Sequence, residues 1–158
     1  MNRALDTVVG GWMVNGIVAL HTGQPFTVRS TGCQGVWANC YPDLIAGKDP
    51  NAAPAGGRRP GQWFDTANFL PPASLTQGNL GLQTNYGPST RNVDFSVAKN
   101  FRFTERWKLQ FRGEAFNIAN TPQFGLPNNN RQEPTFGIVT STQAGSERHI
   151  QFALRLEF

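Results

Sequence analysis

Few residues of this sequence are of types that could carry out chemistry, and they lie far apart along the chain. His21 and His149 are the only histidines, and each lies at the end of a different predicted strand, so we expect no metal site between them. Asp94 and Glu114 fall about one residue pair apart on neighbouring predicted strands, and paired carboxylates suit acid–base chemistry. The same polar surface carries cations that would pair with these carboxylates, namely Lys108, Arg112 and Arg155. We therefore predict no catalytic residue, no bound metal and no cofactor, and we do not expect an enzyme.

Cys33 and Cys40 are the only cysteines, and the segment around them is rich in glycine, asparagine and proline. Two cysteines with no histidine nearby cannot supply four ligands to zinc, and their spacing differs from that of a Cys-x-x-Cys redox motif. A disulfide that closes this small loop is the better interpretation, and it implies an oxidising compartment. The glycine-rich segment 56–61 lacks the Gly-Lys-Ser/Thr ending of a phosphate-binding loop.

The overall charge and composition exclude several classes of protein. The formal net charge is +4, but the 14 lysines and arginines are scattered along the chain, so we predict no nucleic-acid partner. Charged residues make up only 15% of the chain, which argues against a coiled coil or a soluble helix bundle. The abundance of phenylalanine, glycine, asparagine and threonine favours an all-β protein with long loops.

The elements that must position these residues are visible as alternation of apolar and polar side chains. Residues 150–158 alternate without a break, and two further stretches, 93–103 and 107–117, show the same period of two. This period is typical of a strand with one apolar and one polar face. A weaker alternation precedes His21, and no run of this length occurs between it and Asn92. The pattern predicts strands at about 9–21, 92–103, 107–119 and 148–158, with a long irregular loop at 22–91.

A turn of three residues, 104–106, sets the register of the two middle strands. Opposed residues of an antiparallel hairpin share a face, so two odd-numbered apolar sets meet only if the loop has an odd number of residues. The turn predicts the following opposed pairs: Phe103 and Trp107, Phe101 and Leu109, Val97 and Gly113, and Ser96 and Glu114 on the polar side.

The strand lengths and connections favour a membrane barrel. A strand needs about nine to eleven residues to cross a bilayer at a barrel's tilt, whereas strands of soluble proteins typically have about five or six. The connections are long, short and long, as in outer-membrane barrels with short periplasmic turns. The apolar face would contact outer-membrane lipid, and the polar face, with Asp94, Lys108, Arg112, Glu114 and Arg155, would face the lumen. With the short turn in the periplasm, an aromatic girdle forms at that level from Trp12, Phe101, Phe103, Trp107 and Phe158.

Lys99 is the one charge on the apolar face, and it lies two residues from Phe101, so we expect its ammonium to reach the interface. A closed barrel needs at least about eight strands, and four strands leave two edges that lipid does not tolerate. We therefore predict an all-β chain in the cell outer membrane. It would form the C-terminal portion of an antiparallel transmembrane β-barrel and, in isolation, an open curved sheet with a long irregular extracellular loop.

Several short segments, in this order and spacing, resemble the end of Oar-like TonB-dependent receptors. They extend over nearly the whole chain, and they are residues 10–20, 22–27, 63–69, 87–88, 92–96, 99–101, 114–117 and 151–158. The resemblance implies a large outer-membrane barrel with a plug domain, often preceded by a carboxypeptidase-regulatory-like domain. It also implies transport of a substrate across the outer membrane, in either direction, driven through the TonB complex in the full-length protein.

The resemblance also implies an assembly role for the last strand. In such proteins a final strand with a terminal aromatic residue is the signal that the barrel-assembly machinery recognises. Here Phe158 would be the key residue, and the apolar ladder before it would be Leu156, Leu154, Phe152 and Ile150. β-augmentation gives the physical reason, because an edge strand offers backbone hydrogen bonds while alternate side chains fill pockets.

Two other interpretations remain open at the level of sequence. The chain could be a secreted β-sandwich that binds carbohydrate through Trp37 and Trp63, although a sandwich needs about seven short strands. It could also be a truncated fragment without an independent function. In a carbohydrate-binding sandwich the loop aromatics would contact the ligand, but we expect instead that the loop packs onto itself.

Overall fold

A computed structural model of the chain describes residues 8–31, 33 and 40–158. Within the described residues the long regular elements are all strands, and a short 3-10 helix lies at Thr66–Asn68. None of the described helices has the length and hydropathy to cross a bilayer. The strands are β1 Trp12–His21, β2 Pro25–Phe26, β3 Asp43–Leu44, β4 Phe69–Leu70, β5 Asn85–Tyr86, β6 Thr90–Arg102, β7 Lys108–Phe116 and β8 His149–Glu157.

The described residues divide into two compact units. The first unit, here the sheet unit, comprises residues 8–20, 91–122 and 144–158. The second, here the loop unit, comprises residues 21–31, 33, 40–90 and 123–143. The long alternating runs therefore belong to one unit and nearly all of the irregular chain to the other.

The sheet unit contains a four-stranded antiparallel sheet in the order β1, β6, β7, β8. The strands lie within a few residues of the predicted ranges, which confirms the all-β prediction. Strands β6 and β7 also pair in the predicted register. Phe101 lies opposite Leu109, and Ser96 lies opposite Glu114. The Phe103 amide donates to the Trp107 carbonyl at 3.1 Å, which closes the hairpin.

The sheet has two chemically distinct faces across β6, β7 and β8. Even-numbered residues of β6 and β7 lie opposite each other, and the even-numbered residues of β7 lie opposite odd-numbered residues of β8. One face therefore carries rows such as Phe101, Leu109 and Leu156, while the other carries rows such as Ser96, Glu114 and Gln151. The period of two in the sequence becomes a division between faces because all three strands keep one register.

The loop unit has a hydrophobic core of its own, although most of its chain is irregular. The core consists of Phe26, Val28, Phe64, Phe69 and Leu80. The Phe64 ring centroid lies 5.4 Å from that of Phe69, nearly edge-on. Phe136 packs against this cluster, with its ring centroid 5.2 Å from that of Phe64. The predicted loop of residues 22–91 ends two residues earlier, since β6 begins at Thr90. Its described part is mostly irregular, but it packs into a hydrophobic core together with Phe136, a partner that the sequence did not predict.

In the loop unit, hydrogen bonds from asparagine side chains satisfy backbone groups that a β-ladder would otherwise pair. The side chain of Asn85 is fully buried, and its amide donates to the Pro50 carbonyl at 2.7 Å. The Asn51 side chain accepts from the Tyr86 amide at 2.8 Å and donates to the Thr84 carbonyl. Such bonds satisfy buried backbone groups where the chain cannot form strands, because each unpaired group would cost free energy.

Candidate functional site

The apolar face of the sheet exposes large hydrophobic side chains in a continuous band. On β8 and the residue that follows it, the exposed fraction of these side chains ranges from 51% at Leu156 to 89% at Phe158. Burial of such a side chain is worth about 1.5–3 kcal/mol, so leaving the band in water is costly. The band comprises Ile150, Phe152, Leu154, Leu156 and Phe158 on this edge, with Val14, Val18 and Leu20 exposed on β1. Among the described residues, only Ala98 of the sheet unit is a buried hydrophobic residue. The apolar face therefore requires an apolar environment.

The aromatic residues predicted to form the girdle gather at one end of this sheet. Trp107 lies beside the turn after Phe103, and its ring stacks on that of Phe158 with 5.6 Å between centroids. Trp12 and Phe101 flank one ammonium group, that of Lys99, at 4.8 and 5.6 Å. The structure thus brings all five side chains to the turn end, and their assignment to the periplasmic level stays a prediction.

Lys99 is buried at this aromatic end. The residue is only 3% exposed, and its ammonium donates to the carbonyl oxygens of Val8, at 3.0 Å, and of Gly10. The side chain reaches toward the aromatic end, as predicted, but it terminates in a cage of two rings and two carbonyls. A buried charge is tolerated when its donors are satisfied, and the cage supplies that compensation.

The polar face carries most of the charges that the sequence assigned to a lumen. Arg112 and Glu114 lie 3.7 Å apart, and Glu114 also accepts from the Gln151 amide. Arg155 pairs with Glu157 at 3.1 Å, a partner that the sequence analysis did not name. Both ion pairs involve neighbours two positions apart on one strand, where side chains point to the same face.

Asp94 has a structural role at the far end of the polar face. Its carboxylate accepts from the Asn117 backbone amide at 2.9 Å and from the Asn92 side chain at 2.8 Å. These bonds fix the carboxylate at the end of the β6–β7 pair. Asp94 lies two residues from Ser96, which pairs with Glu114, so the two carboxylates are neighbours as predicted. Each of the two carboxylates has its own hydrogen-bond or ion-pair partners, which indicates that they belong to a charged surface.

Asn117 is the residue of this unit that the sequence analysis missed. It is buried, has a φ of 48°, and donates through its side-chain amide to the carbonyls of Thr121, at 3.0 Å, and Ser146, at 2.7 Å. It therefore ties the end of β7 to the segment that returns the chain to β8. The sequence analysis included Asn117 in the strand predicted at 107–119, whereas β7 ends at Phe116. An asparagine as the last residue of the alternating run was the available signal, because asparagine adopts positive φ more readily than most residues.

The two histidines lie at strand ends, His21 as the last residue of β1 and His149 as the first residue of β8. His149 Nε2 lies 3.2 Å from Glu147 Oε1. A backbone hydrogen bond, aided by this histidine, holds the pKa of Glu147 below its ordinary value. Cys33 and Cys40 form a disulfide with 6.2 Å between their Cα atoms, within the usual range.

The aromatic residues of the loop unit pack onto that unit. Phe64 and Phe69 are core residues. The Trp63 indole donates to the Tyr86 carbonyl at 2.9 Å, and the Arg58 guanidinium lies 5.7 Å from its ring. Trp37 lies outside the described residues. A sandwich of about seven strands in two packed sheets does not match the single four-stranded sheet of the sheet unit.

Comparison with known proteins gives one match. A family model described as an outer membrane beta barrel domain matches residues 1–151. No curated protein and no solved structure matches the chain significantly.

Proposed function

Because this chain belongs to the outer membrane β-barrel domain family and is located in the outer membrane, we propose that it is part of the barrel wall of an Oar-like TonB-dependent receptor. In this role its apolar face contacts lipid and its polar face lines the lumen. The chain has no catalytic task and contributes strands and the loop unit to the passage of a substrate. The TonB complex and the barrel-assembly machinery are the proposed protein partners.

The observation that carries this proposal is a two-faced sheet with two open edges. Strands β1 and β8 are the outer strands in the order β1, β6, β7, β8, so within the described residues each has a neighbour on one side only. Lipid does not tolerate unpaired backbone groups, since each one costs several kcal/mol. Further strands must therefore pair with both edges in the membrane, and a large barrel provides them.

The finer assignment to TonB-dependent receptors is supported by the order of the resembling segments. Five of them overlap long strands, namely residues 10–20 on β1, 92–96 and 99–101 on β6, 114–117 at the end of β7 and 151–158 on β8. Residues 63–69 fall in the core of the loop unit, which includes Phe64 and Phe69. The resembling segments thus cover positions in both units.

The proposed assembly role rests on the exposure of β8. Every residue of this strand is exposed, on the apolar and on the polar face alike. An exposed edge strand with alternating apolar side chains suits β-augmentation by the assembly machinery. Phe158 would occupy a pocket of the machinery and then, after assembly, remain stacked on Trp107 at the end of the sheet.

Two measurements test the proposal. An antibody against this chain is used to probe purified outer membranes of the native bacterium, and we expect a band several times heavier than 17.4 kDa, because a plug and further strands belong to the same polypeptide. Cross-linking in intact cells followed by purification through the same antibody is expected to retrieve TonB. A single band at the mass of this chain would support the truncated-fragment alternative, and a heavy band without TonB would refute the receptor assignment.

The assembly role is tested separately in the intact protein, with the further strands that its barrel requires. We expect the wild-type protein to reach the outer membrane and resist alkaline extraction, and deletion of Phe158 to lower that fraction several-fold. Replacing Phe158 with Tyr is the matched control, since it keeps the aromatic ring and should restore assembly. Equal assembly of the deletion and the wild type would contradict the role of Phe158.

A further inference from the structure

The polar face holds a cluster of cations at its aromatic end. Arg102 lies directly opposite Lys108 across the β6–β7 pair, and Arg155 lies opposite Gln110 across the β7–β8 pair. These residues line one hollow of about 190 Å³. Its complete lining is Asn100, Arg102, Lys108, Gln110, Arg155 and Glu157. Three strands therefore contribute to a single concave site.

The charges of this hollow are not balanced. Its lining has three cations and one carboxylate, so the formal charge is three minus one, or +2. The carboxylate of Glu157 pairs with Arg155 at 3.1 Å. Within the described part of the chain, Arg102 and Lys108 have no carboxylate within ion-pair distance. Glu157 lies opposite Lys108 across the β7–β8 pair, but it forms its ion pair with Arg155. Two side-chain cations, Arg102 and Lys108, thus face the hollow without an ion pair of their own.

The amide side chains of the hollow add donors to these cations. The Gln110 side-chain nitrogen donates to Asn100 Oδ1 at 2.9 Å, and Arg112 donates to Gln110 Oε1 at 3.3 Å. Both amide oxygens are therefore occupied by donors from the protein itself. The hydrogen-bonding groups left for a ligand are mainly N–H groups, which bind anionic oxygen.

We propose that this hollow binds a small oxyanion, a phosphate or a carboxylate group carried by a soluble molecule. The ligand is compact because the next row of the polar face has alanines, Ala98 and Ala153, on either side of Arg112. The Arg112 guanidinium is already engaged by Gln110 and Glu114. An extended acidic peptide would require cations spaced farther along the strands. A lipid headgroup would lie against the opposite, apolar face. This site goes beyond the proposed transport role, since binding requires only the sheet itself.

The test is isothermal titration calorimetry on the full chain refolded in an uncharged detergent, with sodium pyrophosphate and sodium citrate as probes. We expect saturable binding of at least one probe, weakened about tenfold by Arg102→Gln and by Lys108→Gln, because each removes a charge-assisted contact. Lys48→Gln is the matched control, since it removes the same charge from an exposed position of the loop unit. Circular dichroism verifies that each variant retains its strands.

Several outcomes would overturn the proposal. It fails if neither probe binds the wild-type chain, or if Arg102→Gln and Lys48→Gln affect binding equally, which would indicate a general charge effect. It also fails if a poly-glutamate peptide or micelles containing anionic lipid bind in a manner that depends on Arg102 while pyrophosphate and citrate do not. Should Arg102→Gln not fold, Arg155→Gln provides the same comparison from a different strand. These outcomes are independent of TonB retrieval, so the two proposals can fail separately.

Discussion

At the scale of single residues, Lys99 shows how an unfavourable position is made tolerable. The sequence places this lysine among apolar residues, where a bare charge at the bilayer midplane would cost about 2–4 kcal/mol. The structure directs its ammonium to the aromatic end, into contact with Trp12, Phe101 and the carbonyls of Val8 and Gly10. The side chain therefore links the residues before β1 to the middle of the sheet.

We expect Lys99→Met to weaken this link while leaving the sheet formed. The substitution keeps an apolar stem of similar length but removes the charged donor, at a cost of about 1.5–3 kcal/mol for hydrogen bonds to a charged group. Hydrogen exchange of the refolded chain should be faster at residues 8–12 and little changed in β7. Lys48→Met is the control for loss of a positive charge. Unchanged exchange at residues 8–12 would show that the cage contributes nothing to stability.

Asn117 is a second residue whose local conformation matters beyond its own strand. An alanine at this position lacks both donated hydrogen bonds and must adopt a φ near 48°, so we expect Asn117→Ala to destabilise the sheet unit by about 2–4 kcal/mol. Asn117→Gly removes the same bonds but relieves the backbone strain, and should cost less. Urea unfolding of the refolded variants measures both. An alanine variant no less stable than the glycine variant would contradict the assigned strain.

At the scale of elements, the two kinds of chain in this molecule are stabilised in different ways. Strands β6, β7 and β8 are held by a continuous ladder in one register. The loop unit has the short pairs β2–β5 and β3–β4 and a few isolated bridges. Its irregular backbone also relies on asparagine side chains and close approaches of glycine. The loop unit should therefore be more sensitive to changes at single turns.

Two glycines of the loop unit provide a matched test of this sensitivity. Gly78 and Gly47 both have positive φ, at 80° and 76°, but a Cβ at Gly78 would lie 2.0 Å from the Tyr41 carbonyl oxygen, whereas one at Gly47 meets nothing. We expect Gly47→Ala to cost about 1 kcal/mol from the backbone alone, and Gly78→Ala about 3 kcal/mol or more. Thermal unfolding followed by near-ultraviolet circular dichroism compares them. Equal losses would mean that the close approach is not maintained.

At the scale of the whole molecule, the sheet unit has no hydrophobic interior and depends on its surroundings. Its apolar face is exposed over β1 and β8, and its polar face carries ion pairs and the cationic hollow. In the proposed barrel, lipid covers the first face and water the second. In that role the sheet is one section of the barrel wall between lipid and water.

Charge substitutions on the two faces of β8 should have opposite outcomes in the membrane. Leu154 lies on the apolar face opposite Phe111, and Gln151 lies on the polar face opposite Glu114. We expect Leu154→Arg to lower the membrane-integrated, alkali-resistant fraction strongly, since an arginine near the midplane costs about 2–4 kcal/mol. Gln151→Arg should leave this fraction unchanged because it gains Glu114 as a partner. Equal effects of the two substitutions would refute the assignment of the faces.

The sequence by itself determined the strands, their faces and the register of the central hairpin. A strand has a side-chain period of two, so alternation and the odd length of the turn at 104–106 suffice to place Phe101 opposite Leu109. The position of the turn gathers the girdle aromatics at one end of the sheet, and parity places the charges other than Lys99 on one face. These features follow from local geometry, which the order of residues encodes directly.

Only the tertiary structure decided the features that depend on distant, irregular segments. The core of the loop unit joins Phe26, Phe64 and Phe136, whose spacing follows no period. The capping of Lys99 by the carbonyls of Val8 and Gly10, and the meeting of Arg102 with Arg155 at one hollow, likewise depend on which strands are neighbours. Pairing between strands far apart in sequence and packing of irregular chain are settled by the whole fold, since no local pattern of side chains encodes them.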